Sequence, residues 1–145
     1  LLLHSGDRFY YYDDHIKDAI AGNAVSLPDK WHYVAVTVDA DGQGYLYVND
    51  APPAHFTTTS RPVVDTKLTF CADIIPETGL RGDFFAGRLD SVRIYDSVLP
   101  DPVAARFDDP PPTEPTLRAY YKFEEPGLSE PTIFTQSATN HSAPA

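Results

Sequence analysis

Apolar and polar residues alternate most strictly between Trp31 and Asp50, in WHYVAVTVDADGQGYLYVND. Trp31, Tyr33, Ala35 and Thr37 share one parity, and His32, Val34, Val36 and Val38 share the other. A period of two, with β-branched and aromatic enrichment, predicts a strand. The segment that follows alternates as well. Leu46 and Val48 fall on one face, and Tyr45 and Tyr47 on the opposite one. Asp39 to Gly44 carries turn chemistry, because glycine takes positive φ without steric cost and Asp bonds its own local backbone. The stretch predicts a β-hairpin at the centre of the chain.

Shorter patterns flank it. Leu1 to Leu3 and Arg8 to Tyr12, around Ser5-Gly6-Asp7, predict an opening hairpin, with Asp13-Asp14 beyond it. Residues 15–24 fit either a marginal strand or a short helix through Ile16, Ala19 and Ile20, which Gly22-Asn23 would end. Pro28-Asp29 reads as a turn. After Pro52-Pro53, a strand must be an edge or start later, since proline cannot donate to a ladder. Leu68 to Cys71 predicts a short strand and Asp73 to Gly82 a loop. Phe84 to Tyr95 is the second strong β pattern. Phe85, Gly87 and Leu89 take one parity, whereas Val92 and Ile94 take the other, so a β-bulge is expected near Asp90-Ser91. Asp101 as N-cap and Pro102 at the first helical position predict one or two helical turns over 101–107, with Arg106 near the favoured C-terminal end. Asp108 to Thr116 reads as a stiff proline-rich spacer. Leu117 to Glu124 reads as a strand, and residues 125–145 as loop. The chain is thus expected to be all-β, an antiparallel β-sandwich with one short helix.

Composition narrows the function. At 145 residues and 42% hydrophobic, the chain can build a domain core. A net charge of −10, with no Lys or Arg run, argues against nucleic acid and against anionic membrane surfaces. No apolar run approaches the ~20 residues of a membrane span. Cys71 is the single cysteine, so no internal disulfide can form.

Three motifs together resemble the laminin G-like group of concanavalin A-like jelly rolls. They are Trp31-His32-Tyr33-Val34-Ala35-Val36-Thr37, then Leu46-Tyr47-Val48-Asn49, then Phe85-Ala86-Gly87-Arg88-Leu89-Asp90-Ser91-Val92-Arg93-Ile94-Tyr95. The resemblance implies a concanavalin A-like jelly-roll sandwich. Asp50 stands where the family has glycine, so a different turn is expected there. Residues 1–108 resemble the last two thirds of such a module, with its first strands missing. Residues 109–116 form the linker. Leu117-Arg118-Ala119-Tyr120-Tyr121-Lys122-Phe123-Glu124-Glu125-Pro126-Gly127 resembles a module's opening. Residues 117–145 are therefore either the start of a following repeat or a strand that closes the same sandwich.

Candidate chemistry is sparse. Asp39 to Gly44 with Asp50 scans like an EF-hand loop, but an extended Tyr45–Val48 carries Asp50 ~13 Å away, so a hairpin turn is the better reading. Some relatives hold Ca²⁺ at a sandwich rim, which makes Asp13, Asp14, Asp73 and Asp90 the candidate metal ligands and calcium the one cofactor to consider. For Asp90 a structural carboxylate at the bulge is the simpler reading. Tyr10, Tyr12, Tyr45 and Tyr47 oppose apolar neighbours and are candidate aromatic platforms for glycans, or packing surfaces for a neighbouring module. Arg81-Gly82-Asp83 is an adhesion tripeptide of a kind that recurs by chance. Asn140-His141-Ser142 is a glycosylation sequon, which agrees with an extracellular or cell-surface location. No carboxylate pair alternates along a strand, and no nucleophile elbow is present, so catalysis is not expected. Two readings remain. One is a non-catalytic module of a larger surface or filament-forming glycoprotein, used in assembly, adhesion or spacing, with neighbouring modules or subunits as partners. The other is a lectin-like, carbohydrate-binding module, calcium-assisted or not.

Overall fold

The computed structural model describes residues 2–13, 18–59, 70–71, 73–74, 81–82, 84–107 and 115–123. Its strands are β1 (Leu2–Ser5), β2 (Arg8–Asp13), β3 (Asp18–Val25), β4 (Val34–Val38), β5 (Gln43–Val48), β6 (Ala54–Thr57), β7 (Asp73–Ile74), β8 (Arg81–Gly82), β9 (Val92–Tyr95) and β10 (Leu117–Tyr121). The helical content of the described residues is one 3-10 turn, Ala104–Phe107. All strand pairs are antiparallel. The chain packs as two units. The first comprises Leu1–Lys67 and Ser97–Asp109, and the second Leu68–Asp96 and Pro110–Ala145.

In the first unit, β1, β2 and β3 form one sheet and β4, β5 and β6 another. The sheets face each other through β3 and β5, which makes this unit a β-sandwich. Alternation explains the core. Leu46 and Val48 are fully buried at 0% and 1% exposure, with Phe56 beside them on β6. Burying each such side chain contributes roughly 1.5–3 kcal/mol. Tyr11 reaches across from β2 and stacks on Phe56 at 4.7 Å. At Gly22 the sheets approach closely: a Cβ there would lie 2.6 Å from Val48 Cγ2. That approach, together with five register pairs to β2, settles residues 18–25 as strand.

The predicted central hairpin is present, but its ladder begins at Val34. Trp31 lies outside it and is 66% exposed. The reason is local. Asp29 takes φ +60°, and His32 turns aside to bond Leu27 and Asn49. Asp39 closes the hairpin turn through Oδ1, which accepts from the Asp41 and Gln43 amides at 2.9 and 2.8 Å. That carboxylate oxygen serves the backbone, as the hairpin-turn reading requires. The 3-10 turn is shorter than two helical turns. Asp101 caps it, its Oδ1 accepting from the Ala104 amide at 2.9 Å. Arg106 pairs with Asp50 at 2.7 Å, and the Tyr33 hydroxyl donates to the Pro102 carbonyl.

In the second unit, β9 pairs with β10 and β7 with β8. The strong β pattern of residues 84–95 forms a ladder only over Val92–Tyr95. Ser91 takes φ +53°, which breaks the extended chain just before β9. At the phase change the structure has a left-handed residue, Ser91, outside any described ladder, where a bulge was expected. The bulge lies elsewhere, between Leu117 and Ala119 of β10. Its extra residue is Arg118, whose Nε donates to Asp96 at 2.7 Å. Phe70 and Cys71, expected in a strand, are bends, and Cys71 has φ +60°. The segment expected as loop from Asp73 contains the two-residue pair β7–β8. The linker prolines 110–112 and residues 124–145 lie outside the described residues.

Candidate functional site

With Leu46 and Val48 directed into the core, the even face of β5 is committed. Its odd face must look outward. Register then assembles a surface from three strands: Thr37 lies opposite Tyr45, Ala35 opposite Tyr47, His55 opposite Tyr45 and Thr57 opposite Gln43. Tyr45 is 37% exposed. Its ring centroid lies 6.3 Å from that of Tyr47 and 5.0 Å from that of His55, tilted in both cases. His55 Nε2–H donates to Gln43 Oε1 at 2.9 Å, which fixes the imidazole and the amide against each other. The face thus carries two phenols, an imidazole, an amide and two threonine hydroxyls. Among the described residues, none of those that register places on this face is an Asp, Glu, Lys or Arg, in a chain of net charge −10. It offers flat apolar rings beside hydrogen-bond donors and acceptors.

The four candidate tyrosines do not form one site. Tyr11 points into the sandwich onto Phe56, so Tyr10 and Tyr12 project from the other side of β2. They belong to the outer face of the β1–β2–β3 sheet, whereas Tyr45 and Tyr47 belong to the outer face of β4–β5–β6. Gln43 and His55 were not singled out by sequence reasoning. Their signal was the register of β6 on β5, which alternation within a single strand does not contain.

The acidic candidates fall in different units. Asp13 closes β2 in the first unit, opposite Asp18 in register. Asp73 opens β7 in the second, and Asp14 lies outside the described residues. Asp90 is exposed and accepts from the Ser91 hydroxyl at 3.2 Å. Among the described residues, no three His, Cys, Asp or Glu side chains converge as a metal site would require. Arg81 and Gly82 form β8, while Asp83 and the Asn140 sequon lie outside the described residues. Desolvation pushes the Cys71 thiol above its usual range, which leaves less of the nucleophilic thiolate at neutral pH.

Facing antiparallel sheets, with one 3-10 turn as the helix among the described residues, are consistent with a concanavalin A-like β-sandwich. The family comparison agrees. Residues 4–103 match the Laminin_G_3 model, described as concanavalin A-like lectin/glucanases superfamily, and the chain belongs to that family. No curated protein and no solved structure matches the chain. Family membership supports a module of the lectin or adhesion type. No helix among the described residues is long and apolar enough to cross a membrane.

Proposed function

We propose that this chain is a non-catalytic, extracellular recognition module that holds neutral glycan through the outer face of β4–β5–β6. One observation carries the reading: Tyr45, Tyr47, His55 and Gln43 stand together on an outer sheet face whose described residues include no Asp, Glu, Lys or Arg. Sugar rings present apolar C–H faces to aromatic rings and hydroxyls to amide, imidazole and threonine groups. A neutral polyhydroxyl ligand needs those partners and no ion pair. Desolvating a charge for such a ligand would cost free energy with no compensating partner.

The test is a glycan array probed with the intact chain and with Tyr45→Ala, with and without chelator. Tyr45→Ala should lower binding about tenfold, corresponding to ~1.4 kcal/mol of lost stacking. Loss of signal on chelation would add calcium to the site. Wild-type chain that binds no glycan under either condition overturns the reading, as does Tyr45→Ala binding at full strength.

Assembly in a larger surface glycoprotein is the second reading. Phe84, Phe85, Leu89 and Ile94 favour it, since all four are exposed in the second unit. Exposed apolar side chains mark a protein contact where they form a contiguous patch.

A further inference from the structure

We propose that the ligand of the β4–β5–β6 face is a single polysaccharide chain that turns between consecutive sugar units, and not the flat surface of a crystalline polymer. The inference rests on the neutral-glycan reading and narrows it. Tyr45 and Tyr47 sit two residues apart on β5, so both rings stand on its outer face, with centroids 6.3 Å apart. Each ring can stack on one sugar face, so the pair takes consecutive units of a chain. The two ring planes differ by 43°. The third ring, His55, lies 5.0 Å from Tyr45 and is tilted from it by 55°. A crystalline polysaccharide presents its sugar rings in one plane. A plane that reaches both phenols can lie flat on only one of them. A single chain rotates about its glycosidic bonds and can offer successive faces at such an angle.

Neighbouring groups constrain the tilt. Tyr45 packs against His55, and His55 is bonded to Gln43 at 2.9 Å. Adjacent strands of a sheet are also rotated by roughly 20–25°, so rings on β5 and β6 do not start coplanar. The hydrogen-bonding groups favour the same ligand. Thr37 and His55 flank Tyr45, and Thr57 lies opposite Gln43, whereas Ala35 lies opposite Tyr47. Polar groups therefore gather around Tyr45 and Gln43, beside the stacking rings. They need open sugar hydroxyls as partners. In a crystalline polymer the hydroxyl edges are bonded to neighbouring chains, and in a single chain they are open. Covering Gln43 and His55 with a surface that cannot bond them would leave polar groups desolvated without compensation.

The test is a sedimentation assay with the full chain on cellulose, chitin and starch, each supplied both as amorphous or dissolved chains and as crystalline particles. Tyr45→Ala is run beside the wild type, and the quantity read is the binding that this substitution removes. The expected result is an affinity about tenfold lower for amorphous or dissolved chains of at least one polymer, with no change on the crystalline particles. Tyr45-dependent binding that is as strong on crystalline particles as on amorphous chains overturns the proposal. So does the absence of Tyr45-dependent binding to every polymer in both forms. The glycan array decides the broader reading separately: short glycans bound there through Tyr45, with no polymer retained here, would leave a glycan face and remove the polysaccharide chain.

Discussion

At Asn49 the backbone turns through φ +52°, a region that costs other L-residues roughly 1–2 kcal/mol and that Asn visits more readily. Its side chain extends the ladder past Val34. Oδ1 accepts from the Tyr33 amide at 3.0 Å, and Nδ2 donates to His32 Nδ1 at 3.0 Å. On the other side of the ring, His32 Nε2 lies 3.1 Å from the Leu27 amide nitrogen and 3.0 Å from the Leu27 carbonyl oxygen, so the imidazole is held between Asn49 and Leu27. One residue thereby ends β5 and positions the segment that leads into β4. The family's glycine after this position is not needed, because Asn49 makes the turn and Asp50 pairs with Arg106. Asn49→Ala should cost about 2–3 kcal/mol, from left-handed backbone and a lost bond to the Tyr33 amide. Asn49→Gly should recover the backbone part only. Urea unfolding measures both, and an unchanged midpoint for Asn49→Ala would contradict this account.

Among the elements, the β4–β5 hairpin is the best specified by local sequence, and its turn shows why. Gly42 has φ +79°, and a Cβ there would lie 2.1 Å from the Thr58 carbonyl oxygen. The Thr58 amide also donates to the Gly42 carbonyl at 2.9 Å, which ties β6 to the turn. Gly42→Ala should therefore destabilise by about 2–4 kcal/mol, combining backbone strain with a collision against main chain that cannot rotate away. Thermal unfolding would show the loss, and a melting temperature within a degree of wild type would refute it. Alternation made the inward Leu46 and Val48 and the outward Tyr45 and Tyr47 legible, because face assignment in one strand needs only its own residues. It did not reveal where a ladder stops. Trp31 keeps perfect parity yet stands outside the sheet, since Asp29 and His32 redirect the chain. Ser91 gives no residue-type signal for positive φ. The bulge at Arg118 is legible only once Asp96 is known to be its partner.

At the scale of the molecule, burial is concentrated in a few places. Among the described residues, the buried hydrophobic side chains are Leu46, Val48 and Phe56 in the first unit and Leu117 in the second. Phe56→Ala should remove about 3–5 kcal/mol from the first unit. Hydrogen exchange should then show β5 amides losing protection while β9 and β10 amides keep theirs, as two stability units require. Equal loss in both would mean a single cooperative unit. The family was legible from three motifs, because strand, turn and strand recur there in fixed order. The candidate face was half legible. Its tyrosines follow from alternation, whereas Gln43 and His55 join them only through register between strands distant in sequence.

The two tyrosine pairs of the first unit stand on opposite outer faces of the sandwich. A single planar surface can therefore meet Tyr45 and Tyr47, or Tyr10 and Tyr12, and never all four. If both faces take ligand, one module is already bivalent, and it bridges two polymers where a one-sided module would coat one. Its apparent affinity for a dense ligand layer then follows ligand spacing and effective concentration more than the strength of either contact.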